Sequence, residues 1–296
     1  MTIYKTDQIR NVVLLSHGGA GKTSLGEAML YDSGAISRLG RVDDGNTVSD
    51  YDPEEIRRNI SVQLSLLPYE RNGAKVNVLD VPGYVDFVGD MLSAIQATDA
   101  AMVLVDAVPG VQVGTELVWG YADKRKLPRL VFINKMDREN SDFEQALASL
   151  RENFDANFVP LQLPIGKQMD FRGVLDLVTM KAYLGEKGGK AAIPAELRAQ
   201  AEEARIQLVE AAAETDDALI EKYLEGEELS PQEIIQGLQL SVREGAIVPV
   251  FCGSALRNIG IQALMQAIVD FVPWPVVVGT VTATNPVTEK EEVLAP

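Results

Sequence analysis

Short runs of β-branched and leucine-rich residues recur along this chain, each ending in a polar turn. The clearest are residues 12–15, 76–79, 130–133 and 247–251. Continuous apolar runs of this length, alternating with helical stretches, read as strands of an open parallel α/β sheet. Residues 11–155 keep that alternation, with short links and a helix over 24–30 behind the first strand. Residues 34–61 break it: they are polar, carry Gly40, Gly45 and Pro53, and show no period. A long loop of this kind is functional or disordered, and its place ahead of the second strand fits a switch segment.

Residues 159–246 leave the pattern. Two strand-like runs, 159–166 and 173–184, precede a helix over 194–215 with Leu197, Ala201, Ala204, Leu208 and Ala211 on one face. A shorter helix covers 216–225. Another starts at Ser230-Pro231, an N-cap followed by proline at the first helical position, with Ile234, Leu238 and Val242 facing inward. The helix 260–271 closes the sheet, Pro273-Trp274-Pro275 breaks it, and 276–296 reads as a linker.

Each of the four strands runs into a motif: Ser16-His17-Gly18-Gly19-Ala20-Gly21-Lys22-Thr23, Asp80-Val81-Pro82-Gly83, Asn134-Lys135-Met136-Asp137, and Gly253-Ser254-Ala255-Leu256. Ligands of open α/β sheets bind beyond the carboxyl ends of the strands, so all four converge on one rim. A Gly-rich turn before Gly-Lys-Thr-Ser24 makes a phosphate cradle of backbone N–H groups at a helix N-terminus. Lys22 would reach the β- and γ-phosphates and Thr23 a Mg²⁺ ion. Ser16 stands where the usual pattern has its first glycine. Asp80 can hold Mg²⁺ through water, and Gly83, lacking a Cβ, lets its N–H approach a terminal phosphate. Asp-x-Pro-Gly is also ordinary turn chemistry.

At the base end, an ionised Asp137 only accepts hydrogen bonds, and guanine alone offers N1–H and N2–H₂ side by side. Asn134 can brace the loops, the stem of Lys135 can lie along the base, and the small Ser254 and Ala255 let a backbone N–H reach the guanine carbonyl. Each motif taken singly could be a polar loop. Their order and placement point to one guanine nucleotide with its Mg²⁺.

On these residues the chain resembles the translational GTPases, most closely the elongation factor G group, over nearly its whole length. Residues 50–62 look like that family's first switch, 80–87 like its second, and 253–275 like its final strand and helix. The resemblance implies a P-loop GTPase fold: a mostly parallel, doubly wound α/β sheet with helices on both faces, plus a small α+β insert subdomain. Residues 1–158 and 246–275 would form the GTPase domain, 159–245 the insert, and 276–296 a linker toward a missing β-barrel domain. It further implies GTP and GDP as ligands and the ribosome as partner of the full-length factor. His17, Gly18, Gly19, Ala20 and Leu256 join the nucleotide site by the same resemblance. The acidic stretch 202–228 reads as a solvated face, or as a docking face for the ribosomal stalk.

Four residues depart from the family pattern. Ser61 replaces the switch threonine that ligates Mg²⁺ in the GTP state, Asn59 replaces a switch glycine, and Gly19 replaces an acidic residue of the phosphate loop. Tyr84 replaces the histidine that orients the attacking water. The metal set is then Thr23, Ser61 and Asp80, and the catalytic set Lys22, Gly83 and Tyr84. Tyr84 sets the expectation of slow hydrolysis of GTP to GDP and phosphate. The alternative is a GTP-dependent ribosome-binding module with little or no hydrolysis. An ATP-using P-loop protein is disfavoured by Asp137 and Ser254-Ala255.

Composition adds bounds. With 296 residues and 46% hydrophobic content the chain can bury a sizeable core. No apolar run reaches the roughly 18 residues that a membrane span needs, and the start of the chain lacks a signal-peptide core, so a cytoplasmic protein with no membrane partner is expected. The isolated domain is expected to be monomeric. A net charge of −16 argues against nucleic-acid affinity spread over this domain. The lone Cys252 reads as a small buried apolar residue, and the lone His17 as a loop-shaping one.

Overall fold

A computed structural model describes residues 3–296. The first half alternates strands and helices: β1 Ile9–Ser16, α1 Lys22–Asp32, α2 Pro53–Arg58, β2 Ser65–Arg71, β3 Ala74–Asp80, α3 Val88–Ala97, β4 Ala100–Asp106, α4 Val113–Lys124, β5 Arg129–Asn134 and α5 Phe143–Asn153. Then come β6 Phe158–Pro160, β7 Gln162–Ile165, β8 Gly173–Asp176, β9 Lys181–Leu184 and β10 Gly189–Ala191. The rest comprises α6 Arg198–Ala213, α7 Asp217–Leu224, α8 Pro231–Glu244, β11 Val248–Cys252, α9 Ile261–Phe271, α10 Pro275–Val278, β12 Val281–Thr284 and β13 Glu291–Leu294.

Seven strands form the main sheet in the order β2-β3-β1-β4-β5-β11-β6. Only the β2–β3 hairpin is antiparallel. The register sets Val12 beside Val78 on one flank and Ala100 on the other. Every residue of β4 is buried, as expected of a central strand covered on both faces. Helices α1 and α9 pack on each other beside β2, while α3 and α4 pack on each other near β1. Among the described residues no helix is long and apolar enough to cross a membrane.

Three sequence expectations change. Residues 34–61 are not featureless: α2 lies within them, with Asp52 accepting from Glu54 N at 2.8 Å and Glu55 accepting from Asp52 N at 3.1 Å. Pro53 opens this helix and Asn59, at φ 54°, closes it. This is a capping box, and its signal stands in the sequence as Asp52-Pro53-Glu54-Glu55. Second, the run 159–166 is two strands in two sheets. β6 pairs with β11 at the edge of the main sheet, whereas β7 joins a four-stranded antiparallel sheet, β10-β9-β8-β7. The run 173–184 likewise folds into β8 and β9 around a turn in which Asp176 accepts from Thr179 N at 2.7 Å. Third, residues 276–296 hold α10 and a β12–β13 hairpin. Both hairpin strands are almost wholly exposed, which explains the weak alternation.

Beside the edge strand β6, α6 packs on α7 and α8. Ala201, Leu208 and Ala211 are buried on α6, and Ile234, Leu238 and Val242 on α8, as the spacing requires. Leu197 falls in a short 3-10 turn ahead of α6 and is half-buried.

Candidate functional site

The carboxyl ends of β1, β3 and β5 and the loop after β11 open onto one cleft of about 280 Å³. At its floor, the turn from β1 into α1 runs through Gly21, whose φ of 101° suits glycine. A Cβ there would also fall 2.5 Å from Asn134 Nδ2. Lys22 is buried. Its ammonium donates to Ser16 Oγ at 2.9 Å, so the serine in place of the first glycine holds the lysine. Burial lowers the Lys22 pKa, opposed by the charges of Asp80 and Asp50. Gly83 passes close beneath: a Cβ would lie 2.6 Å from Lys22 Nζ and 2.9 Å from Gly18 Cα. The Tyr84 ring rests against the phosphate loop, 3.4 Å from where a Gly18 Cβ would stand.

Beside this lies a set of oxygens. Thr23 Oγ1 donates to Asp80 Oδ2 at 2.8 Å and lies 3.0 Å from Ser61 Oγ. Ser61 is brought here by Glu55, a buried carboxylate that accepts from Val62 N at 2.9 Å and Gln63 N at 3.1 Å. Among the described residues Asp80 Oδ1 has no hydrogen-bond partner although it is buried, and burial pushes the Asp80 carboxyl up to about 6. An orphaned carboxylate oxygen beside two hydroxyls is a donor set that fits a small hard cation such as Mg²⁺.

The base end is built on Asn134. Its Nδ2 donates to Ala20 O and its Oδ1 accepts from Ala255 N, both at 2.9 Å, so one side chain joins the phosphate loop to the last loop. Lys135, at φ 64°, also ties the phosphate loop, donating to Gly19 O at 2.7 Å and to Asp106 Oδ2 at the end of β4 at 2.6 Å. Among the described residues, none gives the Asp137 side chain a hydrogen bond or an ion pair. It faces the cleft free to accept.

Most of the anticipated residues meet at this cleft, and five stand behind its wall. His17 packs against Gly114, where a Cβ would fall 2.5 Å from its Nδ1. Ala20 supplies the carbonyl for Asn134, and Asp80 acts through Thr23. Ser254 is buried, its Oγ accepting from Arg257 N at 3.1 Å. Since Ala255 N–H is occupied by Asn134, Leu256 is the member of that motif that reaches the cleft. Sequence reasoning missed Asp50, which is buried with an unpartnered Oδ1 on the cleft wall. It also missed Arg41 and Arg138, two cations facing the same space. Asp50 and Arg41 lie in the aperiodic segment, where spacing carries no information; Arg138 directly follows Asp137 and could have been found.

The profile of the family described as the elongation factor Tu GTP binding domain matches residues 7–274. Elongation factor G of Thermotoga petrophila is 42% identical over 274 residues, covering 91% of this chain and 39% of that protein. Elongation factor G of Thermotoga maritima is also 42% identical, covering 91% and 40%. A crystal structure from Thermus thermophilus superposes with a TM-score of 0.85 at 39% identity, covering 91% of this chain and 41% of that one. The chain therefore spans about two fifths of the length of these relatives.

Proposed function

The chain belongs to the elongation factor Tu GTP binding domain family, and from that premise we propose that it is the GTPase domain of a ribosome-associated, cytosolic translation factor of the elongation factor G type. In this reading it binds GTP and GDP with Mg²⁺ and hydrolyses GTP slowly to GDP and phosphate. The observation that carries it is the convergence of Lys22, Thr23, Gly83, Asn134 and Asp137 on one cleft, with Asp80 directly behind Thr23. We read residues 1–158 and 246–275 as the GTPase unit and 159–245 as its insert. β6 makes that boundary a shared one, since Phe158–Pro160 completes the main sheet.

The phosphate chain would lie on the N–H groups of 18–23 with Lys22 against its terminal oxygens. Withdrawing Lys22 from Ser16 costs one hydrogen bond and returns several charge-assisted ones. Thr23, Ser61 and Asp80 would hold Mg²⁺, which when bound neutralises phosphate charge. Gly83 N–H would meet the γ-phosphate, at a position where a Cβ would press on Lys22 Nζ and Gly18 Cα. Asp137 would accept guanine N1–H and N2–H₂, and Leu256 N–H would meet the guanine carbonyl.

Tyr84 decides the rate. A phenol hydroxyl is a neutral donor and acceptor, whereas a histidine can hold the water through a ring nitrogen while carrying positive charge. Groups that position water or protons contribute about 10²–10⁴-fold. A second reading, a GTP-dependent ribosome-binding module with little turnover, is favoured by the same residue, because Tyr84 is half-exposed and lies along Gly18. Single-turnover GTP hydrolysis by the full-length factor, with and without ribosomes, separates them. Ribosome-stimulated phosphate release supports the enzyme, and GTP-dependent ribosome binding without it supports the module.

A further inference from the structure

The base-contacting loop has two ends, and only one is held by Asn134. The Ser254 and Ile259 backbones exchange two hydrogen bonds at 3.0 Å, closing a turn with Leu256 near its tip. Asn258 sits at the base of this turn in the left-handed region, at φ 52°. Its N–H donates to Ala255 O at 3.3 Å, and its side chain is buried at 4% exposure. That carboxamide has one short bond: Nδ2 donates to Asp32 Oδ1 at 2.7 Å. A second contact, to Glu186 O, is 3.5 Å long, and among the described residues Oδ1 has no partner.

Asp32 is the last residue of α1, the helix whose first residues are Lys22 and Thr23. One rigid element therefore begins at the phosphate site and ends at the root of the base loop, about 15 Å away at 1.5 Å per residue.

We infer that Asp32 is a positioning residue for guanine recognition, fixing the 254–259 loop through Asn258 so that its tip meets the guanine carbonyl. Resting on the guanine reading above, this assigns the recognition of the base carbonyl a second anchor outside the four motifs. Without the Asp32 carboxylate, the buried Asn258 amide loses its only short bond. Burying it unpaired is unfavourable, so the side chain turns outward and the loop tip moves. Asp137 lies on a different loop and keeps its own contacts.

The test compares GDP with 6-thio-GDP, which keeps N1–H and N2–H₂ but offers sulfur, a weak acceptor, in place of the carbonyl oxygen. Equilibrium titration of the purified chain should show Asp32→Ala weakening GDP about tenfold and 6-thio-GDP by much less, so that the ratio between them narrows. Asn258→Gly, which accepts the left-handed backbone but removes the carboxamide, should narrow it in the same way. Asp32→Asn retains an acceptor oxygen and should restore most of the ratio. Equal losses for both nucleotides, or no loss for either, would overturn the inference while leaving the guanine site standing. A wild-type chain that holds GDP no more tightly than ADP would overturn both.

Discussion

Glu55 should control the order of residues 50–63 more than the stability of the whole chain. Its buried carboxylate accepts three backbone N–H groups: Val62 and Gln63 on Oε1 at 2.9 and 3.1 Å, and Asp52 on Oε2 at 3.1 Å. Hydrogen bonds to charged groups contribute about 1.5–3 kcal/mol each. Part of this returns because Asp52, Val62 and Gln63 regain water when the segment opens. A net loss of about 2–4 kcal/mol from the local opening free energy is therefore expected for Glu55→Ala. That corresponds to roughly 30- to 1,000-fold faster exchange of the Val62 and Gln63 amides. Glu55→Gln separates the two oxygens. Its carbonyl can replace Oε1, while its NH₂ faces the Asp52 N–H, so only the reciprocal bond of the capping box is lost, at about 1 kcal/mol. Amide hydrogen exchange read by mass spectrometry over 50–63, with urea unfolding as a control, measures both variants. If Glu55→Ala left exchange at 62 and 63 unchanged, the reasoning that Glu55 delivers Ser61 to Thr23 would fail. So would a glutamine variant as open as the alanine one.

Gly237→Ala should destabilise the packing of α8 on α6 by about 1–3 kcal/mol by overpacking, because the new Cβ would fall 2.0 Å from the Ala212 carbonyl; urea unfolding checks this. Gly21→Ala should abolish tight GDP binding while leaving the fold intact, since it strains a φ of 101° and drives a methyl into Asn134; a GDP titration on a variant with native circular dichroism decides it. Tyr84→His should raise ribosome-stimulated single-turnover hydrolysis of the full-length factor by about 10²-fold or more, with GTP affinity little changed. Removing Mg²⁺ with a chelator should weaken GTP in the wild type, and Ser61→Ala should reduce that loss; equal chelator sensitivity in both would remove Ser61 from the metal set.

The central strands of the sheet were legible because they are buried on both faces, as the fully buried β4 illustrates, and such strands print as unbroken apolar runs. The motif residues were legible because strand ends fix where they must sit. What sequence missed depends on partners far apart in the chain. Asn258 finds Asp32 across 226 positions, and Asn134 takes the Ala255 N–H across 121. No local spacing encodes either contact. The break between β6 and β7 falls at Leu161, between Pro160 and Gln162, and was hidden because it takes a single residue, whose N–H still bonds Val250 O in the main sheet. Helix α2, by contrast, was readable from its capping box; the Gly and Pro residues around it masked the signal.

The most direct test of the guanine site is the base preference of Asp137→Asn. In the proposed reading the wild-type carboxylate would accept from N1–H and N2–H₂; asparagine presents an N–H instead, which suits the carbonyl that xanthine carries in place of the amino group. Losing two hydrogen bonds to a charged group should weaken GDP by roughly 10²–10⁴-fold. Titrations of wild type and variant with GDP and XDP should show this loss together with a gain for XDP. Unchanged GDP affinity in Asp137→Asn, or a loss with no gain for XDP, would contradict the assignment of this cleft to guanine.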